Sequence, residues 1–158
     1  MIEAGLAALE NSALAELLRS SQYLYPLVNA AHILALATLF GSILALDLRL
    51  LGAFRTVPLL PLAQVLPRVA GTGLAFAVLT GTALFSVQPL DYLAHPAMPV
   101  KLVLVALGAV HALAVHRSPA WRGLVAGETS VPGRLRLSAA ISLACWTAVI
   151  LCGRFLAF

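Results

Sequence analysis

The chain has 158 residues, of which 61% are hydrophobic and only 10% are charged, and its formal net charge is +4. Soluble domains carry about 25% charged residues, so this composition excludes an ordinary soluble protein and predicts an integral membrane protein. The length allows about four spans of roughly 20 residues, so we expect one membrane domain over residues 1–158, with the positive charge serving insertion and no nucleic-acid partner.

The first 21 residues have the pattern of an amphipathic helix. Apolar side chains recur at steps of three and four, and the acidic side chains mostly lie off that stripe, which consists of Ile2, Leu6, Leu9, Ala13 and Leu17. We expect residues 1–21 to lie along the membrane interface or to dock against another subunit. The pattern does not choose between these two placements.

Four charge-poor windows follow, and they predict the membrane spans. Their limits are about 25–47, 69–87, 98–116 and 137–155. Prolines stand mainly in the connections, as is typical of loops between membrane helices. The predicted fold class is therefore all-α, a four-helix transmembrane bundle with an N-terminal amphipathic interfacial helix.

Basic residues are distributed unevenly between the two ends of the predicted bundle. Seven of the ten lie at one end, namely Arg49, Arg55, Arg68, Arg117, Arg122, Arg134 and Arg136. The positive-inside rule places this end in the cytoplasm. We therefore expect a multi-pass protein of the bacterial cytoplasmic (inner) membrane with both termini in the periplasm. Asp47 lies at the same end, and Arg68 and Arg136 are its expected partners.

Two histidines fall inside predicted spans that run in the same direction. An ionisable side chain within the membrane is by default a candidate functional residue. At about 1.5 Å per residue, His32 lies roughly 10 Å and His111 roughly 18 Å below the start of their helices, an offset of about 8 Å. Haem ligation needs two axial nitrogens on opposite sides of one iron, so this pair fits best, and His95 and His116 fit less well.

A structural interpretation stands beside the haem hypothesis. Each imidazole can be a neutral group that is hydrogen-bonded to a neighbouring side chain. The second span has small residues along one face, which are Ala70, Gly73, Ala77 and Gly81. That face can accept a flat macrocycle, or it can allow close approach of a second helix. The sequence leaves both interpretations open.

Two stretches carry a resemblance to known families. YLYPLVNAAHILALATLFGSILALDLRLLG and HPAMPVKLVLVALGAVHALAVHR resemble an uncharacterised family of small four-helix bacterial integral membrane proteins. More distantly, they are similar to HemJ-type protoporphyrinogen oxidases and CopD-type domains. The HemJ resemblance implies haem b on His32 and His111, with Lys101 as the matching basic residue. The closer family has asparagine at the position of His111, which leaves His116 as the alternative metal ligand or no haem at all.

Two functions follow as expectations. The first is a haem b-binding protein with a redox or electron-transfer role, in which His32 and His111 ligate iron and Lys101 or Arg154 holds the propionates. The second is a non-catalytic membrane subunit or scaffold that binds a protein partner and has no cofactor. Besides the lipid bilayer, the expected partners are a second copy of the chain or a membrane redox protein.

Overall fold

The computed structural model describes residues 2–128 and 130–156. These residues form eight α-helices and no strand, in the order α1 (Ile2–Glu10), α2 (Ala13–Ser20), α3 (Leu24–Leu51), α4 (Leu59–Phe85), α5 (Pro89–Ala94), α6 (Ala97–Arg117), α7 (Pro119–Val125) and α8 (Gly133–Phe155). The all-α prediction is confirmed. Helices α3 and α6 begin at the end of the bundle that carries α1, α2 and α5, which we call the N-terminal end. The opposite end carries α7 and is called the α7 end.

The four long helices are the membrane spans. Helices α3, α4, α6 and α8 have 28, 27, 21 and 23 residues, and each contains an apolar window long enough to cross a membrane. Crossing the hydrocarbon core takes about 20 residues of helix, so the structure confirms four helices that are long and apolar enough to cross a membrane. Helix α4 begins ten residues before the predicted limit of 69, because the exposed Arg68 does not end the helix and Pro67 lies within it.

Helix α3 is the centre of the bundle. It packs against α4 and α8, and α6 packs against α8, so the ring of four helices is left open between α4 and α6. Gly73 lies at the closest approach of α3 and α4, where an added Cβ would stand 2.7 Å from the Leu39 amide nitrogen. At this position the small residue therefore serves close packing of two helices, as the structural interpretation of the small-residue face requires.

The buried residues form two layers along the bundle. Leu39, Trp146 and Val149 form the middle layer. Leu46, Leu50, Trp121 and Leu124 belong to a second layer at the α7 end. Helix α7 begins at Ser118, whose side chain accepts a hydrogen bond from the Trp121 amide, and so turns the Trp121 ring into this layer. Helix α7 thus closes one end of the bundle.

The N-terminal segment differs from the single amphipathic helix that was predicted. It breaks between α1 and α2, where Ser12 caps α2 by accepting a hydrogen bond from the Ala15 amide. The buried residues are Ala15 and Leu18, whereas Leu17 of the predicted stripe is 53% exposed. The break shifts the helical phase, so the face that packs against α3 and α4 is not the one that the periodicity over residues 1–21 indicated.

The α1–α2 segment is tied to the bundle by Arg19. Its guanidinium donates one hydrogen bond to the Val87 carbonyl at 3.0 Å and one to the Glu10 carbonyl at 2.6 Å. Val87 belongs to the α4–α5 connection and Glu10 is the last residue of α1. One side chain therefore links α1, α2 and the loop after α4.

Tyr92 of α5 should ionise at a higher pH than an ordinary tyrosine. Burial, and then a hydrogen bond with Tyr25, raises the pKa of the Tyr92 phenol to about 12. Because the folded state holds this proton more tightly than the unfolded chain, the stabilisation is complete below about pH 10 and is lost as the pH rises towards 12. Ultraviolet titration should show a late phenolate step that Tyr92→Phe removes. A titration that Tyr92→Phe leaves unchanged would contradict the burial of this phenol.

Candidate functional site

A cavity of about 470 Å³ lies between the four spans, in the half of the bundle nearest α7. We call it the central cavity. Its wall is mostly apolar and includes both tryptophans, Trp121 and Trp146. Val110 and Leu113 of α6 line it and are also exposed on the outside of the bundle, as is Gly71 of α4. The cavity therefore opens sideways between α4 and α6, towards the region that lipid chains occupy.

The polar part of the wall consists of six side chains: Ser42, Asp47, His111, His116, Ser138 and Ser142. They come from α3, α6 and α8, so the packing of α3 and α6 on α8 brings them together. A mostly apolar pocket with a few converging polar groups has the general form of a small-molecule site. Its volume also lies within the usual range of about 300–1,000 Å³.

His116 presents an unpaired ring nitrogen inside this region. Its Nδ1 lies 2.6 Å from the Ala112 carbonyl oxygen, and since a carbonyl only accepts, Nδ1 carries the hydrogen. In the neutral imidazole, Nε2 then bears a lone pair. This Nε2 is buried and has no hydrogen-bond partner among residues 2–128 and 130–156. The Trp121 ring holds the imidazole edge to face, with centroids 4.4 Å apart.

Asp47 presents a second unpaired acceptor. The residue is only 6% exposed, and its Oδ2 has no hydrogen-bond partner in the described part of the chain. The Ser142 hydroxyl of α8 interacts with this carboxyl group. The expected pairing with Arg68 or Arg136 is not formed, since both arginine side chains are exposed. A buried carboxylate oxygen without a hydrogen bond carries a desolvation cost.

His111 lines the same cavity but already has partners. Its Nε2 lies 2.9 Å from the Ser138 hydroxyl oxygen and 3.2 Å from the Ser138 carbonyl oxygen. Both contacts link α6 to α8. His111 is therefore held in place by α8, as the structural interpretation of this histidine proposed.

His32 lies outside the central cavity and packs against α4. The Thr80 hydroxyl donates to the Phe76 carbonyl at 2.6 Å, so its oxygen accepts the hydrogen of His32 Nδ1, which lies 2.9 Å away. Gly81 makes room for the ring, since a Cβ there would stand 3.1 Å from His32 Cε1. The glycine thus accommodates an imidazole at this point of the small-residue face.

The two residues expected to hold propionates lie at the N-terminal end. Lys101 Nζ is 3.5 Å from the position that a Cβ of Gly153 would occupy, and the amine is close enough to His32 to interact electrostatically. Arg154 is exposed in the last turn of α8. Neither residue lines the central cavity. His95, the residue that follows α5, accepts a hydrogen bond through its Nδ1 from the Ala97 amide at the start of α6.

The structure therefore brings His111 and His116 together with Asp47 on the wall of one cavity, whereas His32 and Lys101 lie outside that cavity. The predicted pair of His32 and His111 does not surround one site. Lys101 and His111 are ten residues apart on α6, which corresponds to about 15 Å along the helix axis. Among the side chains that the structure describes, which begin at residue 4, no three of His, Cys, Asp or Glu converge as a metal centre.

Asp47 and the serines around it were missed as site residues by the sequence reasoning. The sequence pattern predicts Asp47 only as a partner of Arg68 or Arg136 at one end of the bundle. The signal that finds it is its position in the last turn but one of a span, since a carboxylate within the membrane is itself a candidate functional group. Ser42 and Ser142 carried no such signal, because serines are common at helix contacts.

Comparison of the chain with protein families, with characterised proteins and with solved structures gives no match. The fold and the site nevertheless define a class of protein. It is a four-helix membrane protein with a laterally open cavity, in which a buried carboxylate oxygen and a buried imidazole nitrogen have no partner within the described chain. Both of these atoms are hydrogen-bond acceptors when the imidazole is neutral.

Proposed function

We propose that the protein binds a lipid-soluble molecule in the central cavity and recognises it through hydroxyl groups of that molecule. The observation that carries this proposal is the pair of unpaired acceptors, Asp47 Oδ2 and His116 Nε2, on the wall of one cavity. A hydroxyl donor would satisfy each of them. Pairing a buried polar group that otherwise lacks a partner removes a penalty of about 1–3 kcal/mol, which favours a donor over a purely apolar ligand.

The shape of the cavity supports a more specific ligand class. The apolar wall with its two tryptophans suits an aromatic ring, and the opening between α4 and α6 allows an apolar tail to remain among the lipid chains. A membrane hydroquinone has these features, because it combines a ring that bears two hydroxyl groups with an apolar tail. We propose that a hydroquinone-type molecule enters from the bilayer and donates hydrogen bonds to Asp47 and His116.

Tryptophan fluorescence tests this proposal directly. The chain has two tryptophans, and both line the cavity, so a bound ring should alter the emission of the purified protein. We expect saturable quenching by an alkyl hydroquinone and much weaker quenching by the matching alkylbenzene, which has no hydroxyl group. His116→Phe keeps a ring but removes the acceptor, and it should weaken the affinity about three- to tenfold.

The matched control is His95→Phe, because His95 lies outside the cavity. It should bind the hydroquinone as the parent protein does. Equal quenching by the alkylbenzene, or equal affinity in His116→Phe and the parent, would refute the proposed recognition.

Haem b with a redox or electron-transfer role is a second proposal for the same cavity. It is favoured by the hydrogen bond from His116 Nδ1 to a backbone carbonyl, because metal-ligating histidines are usually held in this way through their other nitrogen. His32 faces Thr80 outside the cavity, and the Nε2 of His111 already contacts Ser138, so His116 is the cavity histidine that offers an unpaired ring nitrogen. His116 would be the iron ligand, and haem, when bound, supplies one-electron chemistry.

Absorption spectroscopy distinguishes the two proposals. Protein purified from haem-replete cells should show a Soret band if haem is its ligand, and His116→Ala should remove the band while His32→Ala retains it. A colourless, iron-free preparation would rule out haem. A band lost in His32→Ala and retained in His116→Ala would restore the original ligand assignment and contradict the present one.

The four apolar spans contact the lipid bilayer, and further partners are a matter of proposal. We propose a bacterial cytoplasmic membrane location with both termini in the periplasm, supported by the excess of basic residues at the α7 end. A cofactor-free role as a subunit or scaffold stays a prediction, as does association with a second copy or a redox protein. Native mass spectrometry in mild detergent tests this role, and a lone monomer would count against it.

A further inference from the structure

A second concave site lies at the α7 end, on the outside of the bundle. Its volume is about 390 Å³, and three arginines line it: Arg49 near the end of α3, Arg55 in the α3–α4 loop and Arg136 in the first turn of α8. No acidic side chain belongs to its described lining. Three guanidinium groups thus share one pocket without a carboxylate to offset their mutual repulsion.

The loop between α3 and α4 is shaped so that two of these arginines are held in place. Gly52 ends α3 in the left-handed region with φ 105°, and Phe54 also has a positive φ of 49°. These two residues fold the loop back, so that the Arg49 Nε donates to the Val57 carbonyl at 2.7 Å and the Arg55 Nε donates to the Gly52 carbonyl at 3.1 Å. A left-handed Phe costs about 1 kcal/mol or more, and such strain is concentrated at functional sites.

Backbone carbonyls occupy only part of each guanidinium. A guanidinium has five N–H donors, and the loop uses two from Arg49 and one from Arg55. The remaining donors are available to an anion in the pocket. Planar guanidinium groups match phosphate oxygens in pairs, which makes arginine the preferred residue for phosphate recognition.

We propose that Arg49, Arg55 and Arg136 form a binding site for a phosphate group at the α7 end of the bundle. The site lies beside the ends of the membrane spans, at the depth where phospholipid headgroups occur. The phosphate can belong to an anionic phospholipid or to a soluble phosphate compound, since the same donors recognise both. This inference is independent of the central cavity, because none of the three arginines lines that cavity.

The test uses the full chain in nanodiscs. Protein in zwitterionic lipid is compared with protein in discs that contain an anionic phospholipid, and each is heated with and without inorganic phosphate, at ionic strength matched with chloride. We expect the melting temperature to rise with anionic phospholipid, with phosphate, or with both. A rise with lipid alone identifies the headgroup as the ligand, and a rise with phosphate alone identifies a soluble compound.

Arg136→Gln is the main variant because no loop carbonyl depends on this side chain in the hydrogen bonds described above. It should weaken retention of anionic lipid in native mass spectrometry, or the affinity for phosphate, by about tenfold. Arg136→Lys keeps the charge but loses the paired donors. Its binding of anionic lipid or phosphate should therefore be weaker than that of the parent protein and stronger than that of Arg136→Gln. Arg55→Gln removes a second guanidinium from the same pocket and should also weaken the binding of anionic lipid or phosphate.

Arg117→Gln is the matched control, since Arg117 is exposed at the same end of the bundle and does not line the pocket. It removes the same charge and should leave binding unchanged. The proposal is overturned if neither phosphate nor anionic lipid raises the melting temperature. It is equally overturned if Arg136→Gln, Arg55→Gln and Arg117→Gln all respond as the parent protein does.

Discussion

Replacing Gly73 with valine should separate α3 from α4 and destabilise the protein by about 3 kcal/mol or more. The Cβ alone would stand 2.7 Å from the Leu39 amide nitrogen and 3.0 Å from the Ala35 carbonyl oxygen. Both obstacles are backbone atoms, so no side-chain rotation can relieve the clash. Overpacking in a core costs about 1–3 kcal/mol when side chains give way, and a helix that must move costs more.

Gly71→Val on the same helix is the matched control. An added Cβ at Gly71 meets nothing within 4 Å, and the residue is exposed. The two variants share the change in helix propensity and differ only in the contact with α3. The free energy of unfolding, measured by titrating the protein from mild detergent into a denaturing one, should fall strongly for Gly73→Val alone. Equal losses would mean that backbone propensity, and not helix packing, decides the outcome.

Hydropathy was sufficient to predict the four spans because a bilayer demands helices of a minimum length. Each predicted window falls mostly within one of the observed helices, and the charged residues that bounded the windows lie within about two turns of the ends of α3, α6 and α8. Helix α4 is the exception, because its first ten residues include Arg68 and two prolines, Pro61 and Pro67. A charge marks where a helix leaves the hydrocarbon and not where the helix itself ends.

The short helices around the bundle were beyond the reach of the sequence pattern. Helix α7 depends on Ser118 capping a turn that directs Trp121 into the layer with Leu46. The break between α1 and α2 depends on Ser12 and on the side chain of Asn11, which donates to the Ala7 carbonyl. The apolar periodicity over 21 residues does not reveal such a break, because a single cap changes helix stability by only about 1 kcal/mol.

The candidate site was predicted only in part, for a geometric reason. Depth along a helix follows from residue counting, and counting already separated His32 from His111 by about 8 Å. Rotation about the helix axis does not follow from counting, and rotation decides which neighbour a side chain meets. His32 turns towards Thr80 on α4, and His111 turns towards Ser138 on α8. Counting likewise places Asp47 within a span, but the rotation of α3 decides that its unpaired Oδ2 belongs to the wall of the cavity.

Replacing Asp47 with leucine should change stability and ligand binding in opposite directions. The carboxyl group is buried and one of its oxygens has no partner in the described chain, so the fold bears its desolvation cost. Leucine has a similar branched shape, and replacing buried charged groups by apolar ones of similar volume is often neutral or stabilising by about 1–4 kcal/mol. We expect the unfolding midpoint of the ligand-free protein to stay the same or to rise.

Binding of the alkyl hydroquinone should weaken at least tenfold in the same variant. A hydrogen bond to a charged acceptor contributes about 1.5–3 kcal/mol, which corresponds to roughly ten- to 150-fold in affinity. Asp91→Leu removes an exposed carboxylate of α5 outside the cavity and should leave the tryptophan titration unchanged. If Asp47→Leu is strongly destabilised, the carboxylate has a structural partner. If it binds the hydroquinone as the parent protein does, Asp47 does not recognise the ligand. The proposal requires that Asp47→Leu is at least as stable as the parent protein and that it binds the hydroquinone more weakly. This combination is expected of a carboxylate that is retained for its ligand.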